Sequence, residues 1–186
     1  MKVLVTGTST GIGRGIAEKF LAEGHTVIGL DVAESTIAHE NYVHYIADVA
    51  CPEQLPAVDG VEILINNAGV QDSGRDIDVN LRGTIYCTEK YGIQPNIKSI
   101  VMTASVSAHN GAEFPEYCAS KGGVLAYTKN VALRVAKYGA TCNSISAGGV
   151  ITELNAHILE NPALWDQVMA ETLLPKWATV EEMAEW

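Results

Sequence analysis

An α/β fold on a parallel sheet is what this 186-residue sequence predicts. Short runs rich in valine, leucine and isoleucine, KVLVT, TVIGL, VEILI and SIVMTAS, recur along the chain; helical spacings alternate with them; and a glycine-rich turn follows the first run. Continuous rather than alternating apolar runs suit strands buried on both faces by their crossovers, which implies three layers.

The elements follow in order. Lys2 to Thr6 reads as a strand, and after the glycines GIAEKFLAEGH places Ile16, Phe20 and Leu21 at helical spacing. Thr26 to Leu30 is a second strand ending at Asp31, Tyr42 to Ala47 a third and Val61 to Ile65 a fourth. Ser99 to Ser105 delivers Ser105 at a strand's carboxyl end, the edge where open α/β sheets bind ligands. A helix is expected from about Glu116 to Tyr138, and Thr141 to Ile145 reads as a sixth strand. Leu154 to Trp177 carries Leu154, Ile158, Leu159, Leu164, Trp165 and Met169, read either as an apolar lid (153–177) or as two ordinary short helices; His157 reads as a surface residue. The segment TVEEMAEW opens a helix with Thr179 as cap and Glu182 at the capping-box position. The length suits a single domain, 1–186, with a sizeable core.

Composition excludes several classes. Twelve Lys+Arg against 22 Asp+Glu give a net charge of −10, and no basic run offers phosphates a cluster, so nucleic acid is not an expected partner. Cys51, Cys87, Cys118 and Cys142 match no metal spacing, no metal is expected, and they read as reduced thiols. The opening MKVLVTGTSTGIG is neither signal peptide nor membrane span, so a cytoplasmic protein without membrane association is expected.

Two constellations carry chemistry. Gly7, Gly11 and Gly13 in GTSTGIG are not spaced as G-x-G-x-x-G, yet they let backbone approach a pyrophosphate at a helix N-terminus. Asp31, eighteen residues past Gly13 at the tip of the second strand, suits ribose hydroxyls and repels a 2′-phosphate, and Thr8 to Thr10 contain no Lys or Arg; NAD is favoured over NADP. Tyr117 and Lys121, four residues apart, share one helix face, where an ammonium favours a phenolate near it. Chance spacing of a tyrosine and a lysine, and a bland glycine turn, are the alternatives.

TGTSTGIG at Thr6 to Gly13, NNAG at Asn66 to Gly69, Ser105 and YCASK at Tyr117 to Lys121 together resemble the short-chain dehydrogenase/reductase family, over essentially the whole chain from Lys2 to Trp186. The resemblance implies a Rossmann-type doubly wound sheet and NAD(H)-dependent hydride transfer between a secondary alcohol and a ketone. It assigns Asn80, Ser105, Tyr117 and Lys121 to catalysis: Tyr117 as acid/base, Lys121 beside it and on the nicotinamide ribose, Ser105 on the substrate oxygen with Ser107 ranked second, and Asn80, of IDVNLRG, kinking its helix and ordering a relay water. The cofactor would be lined by Gly7, Ser9, Thr10, Gly11, Ile12, Gly13, Asp31, Asp48, Val49, Asn67, Ala68, Gly69, Tyr117, Lys121, Val150 and Thr152. Asp48 and Val49 would meet the adenine, with a helix cap before CPEQL as the alternative for Asp48. Partners implied are a small alcohol or ketone and, through the helix after Glu116, further copies in a homodimer or homotetramer; burial of that helix under the chain's own loops is the alternative.

The sequence also departs from these relatives. Ala147 stands where a proline is expected before Gly148, and the intervals from Asp48 to VEILI and from Gly69 to Asn80 are short, predicting a trimmed helix and a short loop. No segment supplies the usual seventh strand, so six are expected. A catalytically silent NAD-binding regulator with the same fold is a second reading. A sugar epimerase or dehydratase is a third, but it would carry a TGxxGxxG loop and a longer C-terminal substrate domain. His109, Glu113 and Phe114 with the apolar lid leave the substrate open.

Overall fold

A computed structural model describes residues 1–112 and 114–186. Six parallel strands, β1 (Lys2–Thr6), β2 (Thr26–Asp31), β3 (Tyr42–Ile46), β4 (Ile63–Asn66), β5 (Ser99–Ser105) and β6 (Thr141–Ala147), lie in the order β3-β2-β1-β4-β5-β6. The order reverses between β1 and β4, which opens a crevice at the carboxyl ends of those strands.

Period-two alternation splits the strands' apolar side chains between two cores. Val3, Val5, Val27 and Ile65 pack with Ala17 and Leu21 of α1 (Gly11–Ala22). Leu4, Leu30, Leu64, Ile100 and Met102 face the other layer, with Val124, Val131 and Val135 of α4 (Pro115–Val135) and Tyr91. Tyr91 lies in the last turn of a helical segment, α2, made of the π-helical Ile77–Gly83, α-helical Thr84–Cys87 and π-helical Thr88–Gly92. The three-layer doubly wound arrangement is therefore as expected.

Differences from expectation are local. β4 starts two residues late and β6 runs on to Ala147, paired with Ser105. Between β3 and β4 the only helical turn is 3₁₀, Pro52–Gln54, so the expected helix is trimmed away. β2 and β3 are joined without a helix as well. With both crossovers thin, edge strand β3 leaves Val43, Tyr45 and Ile46 exposed. Short α3 (Ser107–Asn110) precedes α4, and α5 (Ala156–Leu159) and α6 (Pro162–Glu171) occupy the lid segment. The Thr179 and Glu182 capping box is formed on α7 (Val180–Ala184), which packs on α1 where Val180 fills the space above Gly15.

Candidate active site

The glycine turn joins β1 to α1 by backbone contact. Gly7 and Gly11 have φ of 76° and 54°, conformations that suit glycine, and the Gly7 N–H donates to Leu30 O at 2.7 Å. A Cβ on Gly13 would lie 1.9 Å from Gly7 O, and one on Gly7 would lie 2.9 Å from Ala68 Cα. Thr10 caps α1 without a side-chain hydrogen bond, so no side chain occupies the helix's first N–H groups there. Asp31 closes the turn from β2: its Oδ2 accepts the Ser9 N–H and its Oδ1 the Ala33 N–H, both at 2.9 Å.

Thr6, not singled out from sequence, clips the next loop. Its Oγ1 accepts the N–H groups of Asn67 and Ala68, both at 3.0 Å. Asn67 Nδ2 donates to Thr6 O, and Thr103 Oγ1 donates to Asn67 Oδ1, so Asn67 ties together the ends of β1, β4 and β5. The Asp48 carboxylate serves a turn and an ion pair, accepting the Ala50 N–H at 2.9 Å and Arg75 Nη2 at 2.7 Å. Burial opposes its ionisation, but the Arg75 and Ala50 bonds prevail and hold the carboxyl below its ordinary range. Val49 is buried against Gly83.

At the other end, β5, α2 and α4 converge. Lys121 is 4% exposed; its Nζ donates to Thr103 O at 2.8 Å and lies 5.8 Å from the centroid of the half-buried Tyr117 ring. Burial pushes this amine down to about 8, against the pull of the Asp76 carboxylate. Ser105 is buried beside Ser107; its Oγ donates to Ser107 Oγ at 3.1 Å and accepts the Ser107 N–H at 3.2 Å. Asn80 is 1% exposed, not on an open helix face. Its Oδ1 accepts the Val70 N–H, and its Nδ2 donates to Val70 O and to Ser120 Oγ, which itself donates to the Tyr117 carbonyl. The helix around Asn80 is π-helical from Ile77 to Gly83. Gly69 borders both groups: a Cβ there would lie 3.2 Å from Asn80 Oδ1 and 3.4 Å from Lys121 Nζ.

The segment after β6 closes back on the glycine turn. Val150 is buried and bridges Ala178, while the Thr152 methyl stands 3.5 Å from where a Gly11 Cβ would be. Ala147, where a proline was expected, ends β6, and its carbonyl accepts the Val106 N–H at 2.9 Å. Trp177, which sequence reasoning passed over, lies flat against Gly149 and meets Trp165 edge-on at 5.2 Å. A cleft of about 360 Å³ beside it is lined by Ile151, Leu159, Pro162 and Trp165. His157 and Phe114 are exposed, and Glu113 lies outside the described residues. No cluster of His, Cys, Asp or Glu suited to a metal occurs among the described residues, nor is any of their helices long and apolar enough to cross a membrane.

A family model described as enoyl-(acyl carrier protein) reductase matches residues 7–186. The 2-(R)-hydroxypropyl-CoM dehydrogenase of Xanthobacter autotrophicus is 30% identical over 98% of this chain and 87% of its own length. The chain belongs to the short-chain dehydrogenase/reductase family. That relative's match runs over 226 positions, more than the 186 residues of this chain, so the relative carries insertions relative to it. Solved members of the family superpose closely. A putative 2-deoxy-D-gluconate 3-dehydrogenase from Agrobacterium tumefaciens with bound NADP gives a TM-score of 0.89 at 25% identity, covering 99% of this chain and 85% of the other. A 3-oxoacyl-[acyl-carrier protein] reductase from Brucella melitensis in complex with NAD gives 0.83 at 26%, covering 98% and 86%.

Proposed function

We propose that this short-chain dehydrogenase/reductase is an NAD(H)-dependent oxidoreductase interconverting a secondary alcohol and a ketone, with Tyr117 as acid and base. The observation that carries the reading is the pair on α4: a half-buried Tyr117 with the Lys121 ammonium 5.8 Å from its ring, anchored to the strand that ends at Ser105.

A dinucleotide fits the residues present. The Gly7, Gly11 and Gly13 cradle has no room for side chains at Gly7 and Gly13, and α1 presents its N-terminus with no side-chain cap. Asp31 at the tip of β2, with no cation among Thr8 to Thr10, favours NAD over NADP. One similar structure holds NAD and another NADP, so the choice rests on this chain's own carboxylate. Ser9, Thr10, Ile12, Asp48, Val49, Asn67, Ala68, Gly69, Val150 and Thr152 complete the proposed lining.

When bound, the nicotinamide gives or takes the hydride. Tyr117 takes the hydroxyl proton as the carbonyl forms and returns it in the reverse direction. Lys121, cationic at neutral pH, stabilises the phenolate. Ser105, oriented by Ser107, hydrogen-bonds the substrate oxygen. Asn80 spends its side chain on Val70 and Ser120, so its main-chain carbonyl, which also accepts Thr84 Oγ1, is the group left to hold a relay water. Residues 153–177 form the substrate-side lid of a single unit, 1–186, and their apolar cleft suits a substrate with a hydrocarbon portion. Self-association through α4, where Leu133 is 80% exposed and nothing lies over Gly122, and a cytoplasmic location complete the reading.

Titration with NADH and NADPH, followed by a turnover screen over secondary alcohols and ketones, tests it. Tighter binding of NADH with turnover of a panel member is expected. Binding with no turnover on any member would favour the silent regulator instead.

A further inference from the structure

Edge strand β3 carries Tyr42 and His44 two residues apart, on one face of the sheet, and hydrogen bonds run from both to the loops around the glycine turn. The Tyr42 hydroxyl donates to Thr8 Oγ1 at 2.8 Å and stands 3.0 Å from His44 Nδ1, while His44 Nε2 lies 2.9 Å from the Ala33 carbonyl oxygen. Thr8 is wholly buried in the turn between Gly7 and Ser9. Tyr42 reaches it past β2 only because residue 29 is glycine: a Cβ there would lie 2.0 Å from Tyr42 Oη and 2.5 Å from Thr8 Oγ1. Burial pushes the phenol above its ordinary value, so it keeps its hydroxyl proton at neutral pH. Beyond Thr8, the Ser9 and Ala33 N–H groups take one Asp31 carboxylate oxygen each, and Thr36 Oγ1 donates to the Ser9 carbonyl at 2.7 Å. The bonds close a ring from Asp31 through Ser9 and Thr8 to Tyr42, His44 and Ala33, and back to Asp31. Nothing in the reaction scheme uses Tyr42 or His44, and the β2 to β3 connection has no helix to brace these loops.

We propose that Tyr42 and His44 are positioning residues for the adenosine end of the cofactor, a strut from the edge strand that fixes where the Asp31 carboxylate points and so sharpens the choice of NAD over NADP. The inference rests on the dinucleotide reading above for its purpose, while the ring of bonds stands without it. Discrimination needs the carboxylate within hydrogen-bond reach of the ribose hydroxyls, and a displacement of about 1 Å forfeits such a bond. Asp31 ends its strand, and two backbone N–H groups in loops, those of Ser9 and Ala33, hold its oxygens. Each loop is pinned by one end of the strut: Thr8, the neighbour of Ser9, by Tyr42, and the Ala33 carbonyl by His44. With the strut cut, Asp31 keeps its charge and its two donors but loses the frame that fixes them. Ribose binding then weakens, and a 2′-phosphate no longer meets a rigidly held carboxylate.

The test measures the dissociation constants of NADH and NADPH by fluorescence titration in wild type, Tyr42→Phe and Thr8→Val, substitutions that remove one hydroxyl each and keep the shape. The ratio of the NADPH constant to the NADH constant should fall about fivefold to tenfold in each variant, through weaker NADH binding. The double variant should fall no further, since both substitutions break one link. His44→Ala should lower the ratio as well, and His44→Gln, whose amide can still donate to the Ala33 carbonyl, should restore part of it. An unmoved ratio in Tyr42→Phe overturns the proposal, as does an equal loss for both dinucleotides, the mark of a merely loosened fold; Thr8→Val carries the same comparison if the phenylalanine variant does not fold. A wild type that binds neither dinucleotide would sink the cofactor reading, and amide hydrogen exchange of the free protein then decides on the strut. The Ser9 and Ala33 N–H groups should exchange faster in Tyr42→Phe while those of β5 hold, and unchanged exchange at Ser9 and Ala33 overturns it.

Discussion

Replacing Lys121 by methionine should cost activity and raise stability, by an amount that depends on pH in a defined direction. The amine is buried, and its pKa falls from 10.5 to about 8 with desolvation as the leading cause. A base whose pKa is depressed on folding destabilises the fold while charged. The unfolded chain holds the proton through the window between 8 and 10.5 and the folded chain does not, so stability rises with pH there. At 1.36 kcal/mol per unit, the cost below pH 8 is about 3 kcal/mol. Methionine carries no charge and fills the stem's volume, so at pH 7 the variant should be the more stable, less about 1 kcal/mol for the lost bond to the Thr103 carbonyl. The advantage should shrink by about 2.5 kcal/mol between pH 7 and pH 10 as the wild type sheds its proton. Paired urea unfolding curves at the two pH values read this directly, and shared titrations cancel in the difference. A stability difference independent of pH would refute the reasoning.

Three further outcomes are expected. Tyr117→Phe should abolish turnover while NADH affinity stays within about twofold, checked by kinetics beside a fluorescence titration, since the ring and its packing remain and only the proton carrier is lost. Asp31→Ala should weaken NADH binding and narrow the gap to NADPH; because Asp31 also accepts the Ser9 and Ala33 N–H groups, the thermal midpoint should fall as well, by the equivalent of about 1–2 kcal/mol. Gly13→Ala places a methyl 1.9 Å from Gly7 O, and calorimetry should show a loss of about 1–3 kcal/mol together with loss of cofactor binding.

Much of this fold could be read before any coordinates. Apolar runs such as Leu4 with Val5 and Ile100 with Met102 are legible because both faces of a parallel sheet are covered, and the trimmed β3 to β4 crossover followed from the count of residues available. The Thr179 capping box was legible because its partners are three residues apart. What escaped depends on long-range contact. Asp76 sits in the polar run QDSGRD, which reads as a solvated loop, yet it is 1% exposed and accepts the Asp72 and Ser73 N–H groups. Thr6 looked like the last residue of a strand, yet its hydroxyl serves two N–H groups of the NNAG loop. Trp177 carries no local signal, because its contact with Gly149 is invisible to local pattern. Asp48 shows the limit from the other side, since its carboxylate is engaged by Arg75 and Ala50, partners that motif matching does not weigh.

The most direct test of the central claim is the absorbance of reduced nicotinamide followed with wild type and Tyr117→Phe over one panel of secondary alcohols and ketones, each protein first shown to bind NADH. The account predicts turnover of at least one panel member by the wild type and none by the variant at equal occupancy. Equal turnover by the two proteins would contradict it and remove Tyr117 from the chemistry.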